Sequence, residues 1–179
     1  MAWQIDSSHS HVNFTARHMM ISKVRGAFEN FSGTVNFDEA NPTNTTVNIE
    51  VDLSSINTRD AQRDGHLQSP DFFDVATHPT MTFVSTRVEQ VDENNGRLYG
   101  QLTIKDITKE VVLDVEYAGV AKSPWGTESA GFSANGSINR KDWGLTWNQT
   151  LETGGVLVGD KINLEIELEL VKQAQAETA

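Results

Sequence analysis

The chain has 179 residues, enough for one sizeable core, and its 37% hydrophobic and 22% charged residues fit neither a disordered chain nor a membrane-spanning one. Its 25 acidic against 14 basic residues leave a formal charge of −11, which repels phosphate backbones and argues against nucleic acid as a partner. With no cysteine there is no disulfide, no thiolate nucleophile and no thiolate metal site.

The first residues lack the basic and apolar regions of a secretory leader, so the expected location is cytoplasmic, or periplasmic if a leader has been removed. Val12, Phe14 and Ala16 then share one parity and His11, Asn13, Thr15 and Arg17 the other, the two-residue alternation of a half-buried strand. His9 and His11 carry the outward parity and His18 the inward one. The three imidazoles converge on a metal only across a bulge, and no metal site is expected. His18 instead reads as a polar group inside the fold near a strand end, or as a core histidine bonded to a carbonyl.

Gly33 to Phe37 is a further strand, followed by Val47, Ile49, Val51 and Leu53 alternating with polar partners. Alternation stops from Thr58 to Asp74, where Thr58 is a candidate cap for a short helix that Gly65 or Pro70 would end. This insertion holds Arg63, Asp64 and His66, with Asp71 nearby: the parts of a polar binding site, of an acid/base pair, or of a salt-bridged loop. The following Phe72 and Phe73 plug the interior, touch a ligand or simply pack. Strands resume over Met81 to Val91. Beyond the turn at Glu93 to Gly96 come Leu98, Leu102 and Ile104, then Val111 to Tyr117, then Ala130, Phe132, Ala134 and Ile138. Arg140 follows directly and offers a fork to an anion, or closes the strand end against a carboxylate. Ile162 to Leu170 is the clearest alternation of all, and residues 172–179 read as a frayed tail after one domain spanning 1–171.

About eight long strands, each wet on one face, predict an all-β, single antiparallel β-barrel of lipocalin-like shape; a β-sandwich is the competing arrangement. The inward parity proposes an apolar lining of Phe14, Ile49, Val51, Phe83, Leu102, Ile104, Phe132, Ile138, Leu164 and Ile166. Small residues on the same parity, Gly100, Ala130, Ala134 and Gly136, leave room among them. The candidate polar groups at the barrel ends are His18, Arg63, Asp64, His66 and Arg140. No nucleophile elbow, phosphate-cradling loop or dinucleotide fingerprint is present, so no catalytic residue is assigned.

Ordered blocks along nearly the whole chain sharpen this reading. They include Ile5, Asp6, His9, Ser10, Val12, Phe14, Arg17 and His18; Arg63, Asp64, His66, Leu67, Ser69, Asp71, Phe72, Phe73 and Asp74; and Asn139, Arg140, Asp142, Gly144, Leu145, Gly159 and Asp160. In these the chain resembles the YceI-like family of lipocalin-shaped polyisoprenoid-binding proteins. It departs from the family pattern at Asp106, where glycine is frequent, and at Trp143, where phenylalanine is frequent. The resemblance implies a barrel that encloses an isoprenoid lipid of polyprenyl or quinone type for transport, storage or sequestration. It implies no catalysis, no cofactor other than the lipid, and no insertion into the membrane. A homodimer is compatible with it. The alternative is an enzyme acting on an amphipathic substrate through a His/Asp pair, His66 or His18 with Asp64 or Asp71.

Overall fold

A computed structural model of the protein describes residues 3–149, 151 and 157–172. Eleven strands form one curled antiparallel sheet. They are β1 (Gln4–Ile5), β2 (His11–His18), β3 (Ser22–Phe28), β4 (Phe31–Asn36), β5 (Thr46–Asp52) and β6 (Ile56–Asn57). After the helix α1 (Ala61–Gln68) come β7 (Thr80–Gln90), β8 (Asn95–Ile104), β9 (Ile107–Lys122), β10 (Glu128–Asn139) and β11 (Val158–Lys172). The sheet runs β4-β5-β7-β8-β9-β10-β11-β2-β3-β6, with β1 paired to β11. Eleven strands replace the expected eight, because two-residue β1 and β6 are too short to show a period and β3 carries Gly26 and two basic residues among its few apolar ones.

The expected barrel is present as a lipocalin-like half-barrel whose wall is closed by chain corners. No ladder joins the edge strands β4 and β6 among the described residues. The chain crosses between the two edges twice, from β3 to β4 through Glu29 and Asn30, and from β5 to β6 through a 3₁₀ turn at Leu53–Ser55. Hydrogen bonds stitch the crossings together, with Glu29 N donating to Ser55 O at 3.2 Å and Asp52 N to Asn30 O at 3.0 Å. Turning corners this way satisfies edge groups that would otherwise stay unpaired.

Parity holds along the long strands. Val111 and Leu113 of β9 and Leu102 and Ile104 of β8 are buried, while Glu110, Val112, Asp114 and Glu116 of β9 are exposed on the other parity. A bulge in β7 between Ser85 and Arg87 switches the inward set from Met81 and Phe83 to Val88, and keeps the strand in register with Leu98 of β8.

The helix caps differ from expectation. Asp60, not Thr58, is the N-cap of α1, its Oδ1 accepting from the N–H of Gln62 at 3.1 Å and of Arg63 at 3.2 Å. Gly65 lies inside the helix, which ends at Ser69 ahead of Pro70. Lys172, expected in the frayed tail, is the last residue of β11; its ammonium lies 3.2 Å from Glu128, 3.3 Å from Glu39 and 4.7 Å above the Trp3 ring. Residues 173–179, the remainder of the expected tail, lie outside the described residues, as do Gly154 and Gly155. No described helix is long and apolar enough to cross a membrane.

Candidate functional site: an apolar cavity inside the sheet

The concave face of the sheet encloses a cavity of about 380 Å³. That lies in the ~300–1,000 Å³ range of pockets that enclose small molecules. All ten residues of the expected lining border it: Phe14, Ile49, Val51, Phe83, Leu102, Ile104, Phe132, Ile138, Leu164 and Ile166. They come from β2, β5, β7, β8, β10 and β11, so the lining follows from inward parity on six strands rather than from any local motif.

Two aromatic clusters line the cavity, and the β7–β8 turn adds a polar stretch from Glu89 to Arg97. In one cluster, Phe37, Tyr117 and Phe132 hold their ring centroids 5.0–5.4 Å apart, and Trp3 stands 5.8 Å from Phe37. Burial, with Glu39 nearby, pushes the Tyr117 phenol up. In the other, the segment after α1 delivers Phe73 edge-on to Phe28 at 6.0 Å, and Phe28 in turn packs on Phe14 at 5.3 Å. Phe72 and Phe73 thus do plug the interior, and both border the cavity. Sequence reasoning missed Val24, Phe28, Phe37 and Tyr117 as lining. Tyr117 and Phe37 lie on parities already read as strands, whereas Val24 and Phe28 belong to β3, which alternation did not reveal.

The five polar candidates separate. His18, Arg63 and Arg140 border the cavity; Asp64 and His66 do not. Arg63 Nε donates to Thr58 Oγ1 at 2.8 Å and one terminal nitrogen donates to Thr58 O, while Asp64 Oδ1 accepts from Thr58 N at 2.9 Å. Asp64 is therefore an anchor for the buried Thr58 and the approach to α1, and Arg63 borders the cavity.

Arg140 is 3% exposed. Its Nε donates to Gly159 O at 3.0 Å, Nη1 to Leu145 O at 2.6 Å and Trp147 O at 2.9 Å, and Nη2 to Val158 O at 3.3 Å. Asp160 stands 3.6 Å from Nη2 and supports the charge that burial opposes. Four of its five N–H groups are hydrogen-bonded to carbonyls, which favours, of the two expected readings, closure of the strand end over an anion receptor: Arg140 ties the 3₁₀ turn Arg140–Trp143 to the following loop and to β11. Trp143, beside it in sequence, is buried and donates Nε1–H to Leu102 O at 2.9 Å, a bond that the phenylalanine frequent in the family does not make.

His66 Nε2 does meet Asp71 Oδ2, at 2.9 Å, and packs edge-on to Trp147 at 4.6 Å and Phe72 at 5.1 Å. This pair sits outside the cavity, behind Phe72. His9, His11 and His18 do not converge; His9 instead lies 2.7 Å from Asp6 and 3.2 Å from Glu169, in an exposed ion pair on the outer wall. The Ser8 hydroxyl and the His9 imidazole hold the Asp6 carboxyl down to about 2.

A curled antiparallel sheet around an apolar cavity defines a lipocalin-like architecture. Comparison with known proteins places it further: the sequence profile of the YceI-like domain matches residues 3–170, and the chain belongs to that family. A UPF0312 protein of Staphylococcus aureus is 39% identical over 165 residues, covering 92% of this chain and 94% of that protein. The crystal structure of BcnA from Burkholderia cenocepacia superposes with a TM-score of 0.79 at 26% identity, covering 93% of this chain and 99% of BcnA. A polyisoprenoid-binding domain from Saccharophagus degradans shares the fold, with a TM-score of 0.68 at 15% identity over 98% of this chain and 99% of that one.

Proposed function

We propose that the protein binds a long isoprenoid lipid, of polyprenyl or isoprenoid-quinone type, in the cavity for transport, storage or sequestration, and that it is not an enzyme. The observation that carries this reading is the lining, in which aliphatic and aromatic side chains from six strands face one space. Withdrawing hydrocarbon from water contributes about 0.8 kcal/mol per CH₂ before ordering costs, so a long apolar chain is held without specific polar contacts. The likeness of fold to a domain described as polyisoprenoid-binding supports the choice of lipid. His18 and Arg63 border the cavity and are the polar groups we assign to a head group. The enzymatic reading is weakened by position, since the His66–Asp71 pair does not border the cavity.

Native mass spectrometry tests this on protein expressed in a bacterial host and offered polyprenyl alcohol. A stoichiometric adduct is expected for the wild type and for His66→Ala and Glu167→Gln, and its loss for Ile104→Asp provided that variant keeps its β-sheet circular dichroism. A wild-type protein that stays empty overturns the proposal; turnover of the lipid, lost in His66→Ala, supports the enzyme instead.

A further inference from the structure

The β2–β3 hairpin stands apart from the rest of the molecule in charge and in exposure. From Ser7 to Phe28 the sequence contains no Asp or Glu, although the chain carries 25 of them. At its tip Met19 is 43% exposed, Met20 62% and Ile21 81%, three consecutive apolar side chains facing water. Arg17, Lys23 and Arg25 flank them, all exposed, with Arg17 directly opposite Lys23 across the ladder. Like charges opposite one another destabilise a strand pair, so this arrangement does not serve the hairpin itself.

The turn adds an independent observation. Met19 and Met20 have φ of 53° and 65°, and Ile21 N donates to His18 O at 3.3 Å. Two successive left-handed residues, within the three-residue loop between β2 and β3, make a turn that favours Asn and Gly. Placing side chains with long unbranched apolar stems there stores strain that either residue of that favoured pair would relieve. The tip therefore gives up local stability to present hydrocarbon to the outside.

We propose that this tip docks the protein on an anionic lipid bilayer, Met19, Met20 and Ile21 entering the acyl boundary while Arg17, Lys23 and Arg25 meet the phosphates. Charge complementarity selects the occupant: an apolar finger ringed by cations matches a layer of anionic head groups over hydrocarbon. The net charge of −11 does not forbid it, because at physiological salt the screening length is about 8 Å and the surface in contact governs. The molecule is also polarised for this orientation. His18 pairs with Val158 at the start of β11, whereas Glu128 pairs with Lys172 at its end, so the hairpin tip and the β9–β10 turn occupy opposite ends of a 15-residue strand. Arg17, His18 and Val24 border the cavity, so docking by the tip brings the end of the cavity that carries Arg17 and His18 to the membrane surface.

Cosedimentation with vesicles tests the docking, with cargo-free and cargo-loaded protein run in parallel so that the result stands whether or not a lipid occupies the cavity. Binding to phosphatidylglycerol vesicles and not to pure phosphatidylcholine is expected, weakening as salt rises. Lys23→Glu/Arg25→Glu should lower the affinity about fivefold or more per basic residue lost, and Met20→Ser/Ile21→Ser should abolish it. Trp125→Ser, at the opposite end and 86% exposed, should bind as the wild type. Equal loss in the Trp125 variant, no wild-type binding to anionic vesicles, or hairpin variants that change only the oligomeric state through contact with a second copy would each overturn the proposal.

Discussion

Phe83 lies so close over Gly100 that a Cβ added there would stand 2.2 Å from Cζ of the ring, and Phe14 covers Gly26 in the same way. Gly100→Ala should push the Phe83 ring into the cavity, costing about 1–3 kcal/mol in chemical denaturation and reducing lipid capacity together. An unchanged stability and capacity would mean the ring has somewhere else to go. Gly100 was read from the sequence as room in the interior; its inward parity was correct, but the space belongs to a ring on the neighbouring strand, which one-dimensional alternation does not locate. The β8–β9 turn shows the same limit. Lys105 and Asp106 have φ of 53° and 64°, so Asp106→Gly, the residue frequent in the family, should stabilise the fold by about 0.5–1 kcal/mol in thermal unfolding.

At Asp6 and His9 the residue scale also yields a pH dependence. The Asp6 carboxyl is held at about 2, below its ordinary 3.8, so its contribution is present above that ordinary value and lost as pH falls toward 2. His9, beside Asp6 and Glu169, is raised above its ordinary 6.5, so its contribution is complete below 6.5 and lost as pH rises through the raised value. The pair is strongest between pH 3.8 and 6.5. Imidazole titration by NMR should show His9 returning toward its ordinary value in Asp6→Asn; an unmoved midpoint would leave Glu169 as the sole cause.

Among elements, α1 and the segment that follows it decide how the cavity is closed. Asp60→Ala removes the N-cap and should destabilise by about 1 kcal/mol, seen as earlier hydrogen exchange in α1 than in the strands. Both Thr58 and Asp60 are cap-competent residues two apart, and only the hydrogen bonds of Thr58 to Arg63 and Asp64 show why the nearer one caps. Arg140 makes the sharper case. Arg140→Lys should destabilise the fold by about 3 kcal/mol, read as a lower urea midpoint at unchanged slope, since an ammonium cannot reach the carbonyls of Leu145, Trp147, Val158 and Gly159 together. Unchanged stability with weakened lipid binding would return it to the head-group role. The sequence shows a basic residue at a strand end; whether its fork turns to carbonyls or to an anion depends on a loop 5 to 7 residues away and on a strand 18 to 19 residues away.

For the whole molecule, long one-sided strands were readable because each alternates over enough residues to establish its parity, and that parity delivered the lining on six strands. The closure was not readable. It depends on two corners, at Glu29–Asn30 and Leu53–Ser55, and on two-residue strands that leave no periodic trace. The number and length of the strands already favour a barrel over a sandwich, the resemblance to the YceI-like family agrees, and the match over residues 3–170 shows the family.

Methyl NMR during titration with a polyprenyl alcohol tests the central claim most directly, because inward and outward methyl groups serve as internal controls for each other. The methyls of Ile49, Ile104, Ile138, Leu164 and Ile166 should shift at stoichiometric lipid, and those of exposed Val84, Val112 and Val120 should not. Shifts confined to the outward set, or none in either, would contradict an interior lipid site.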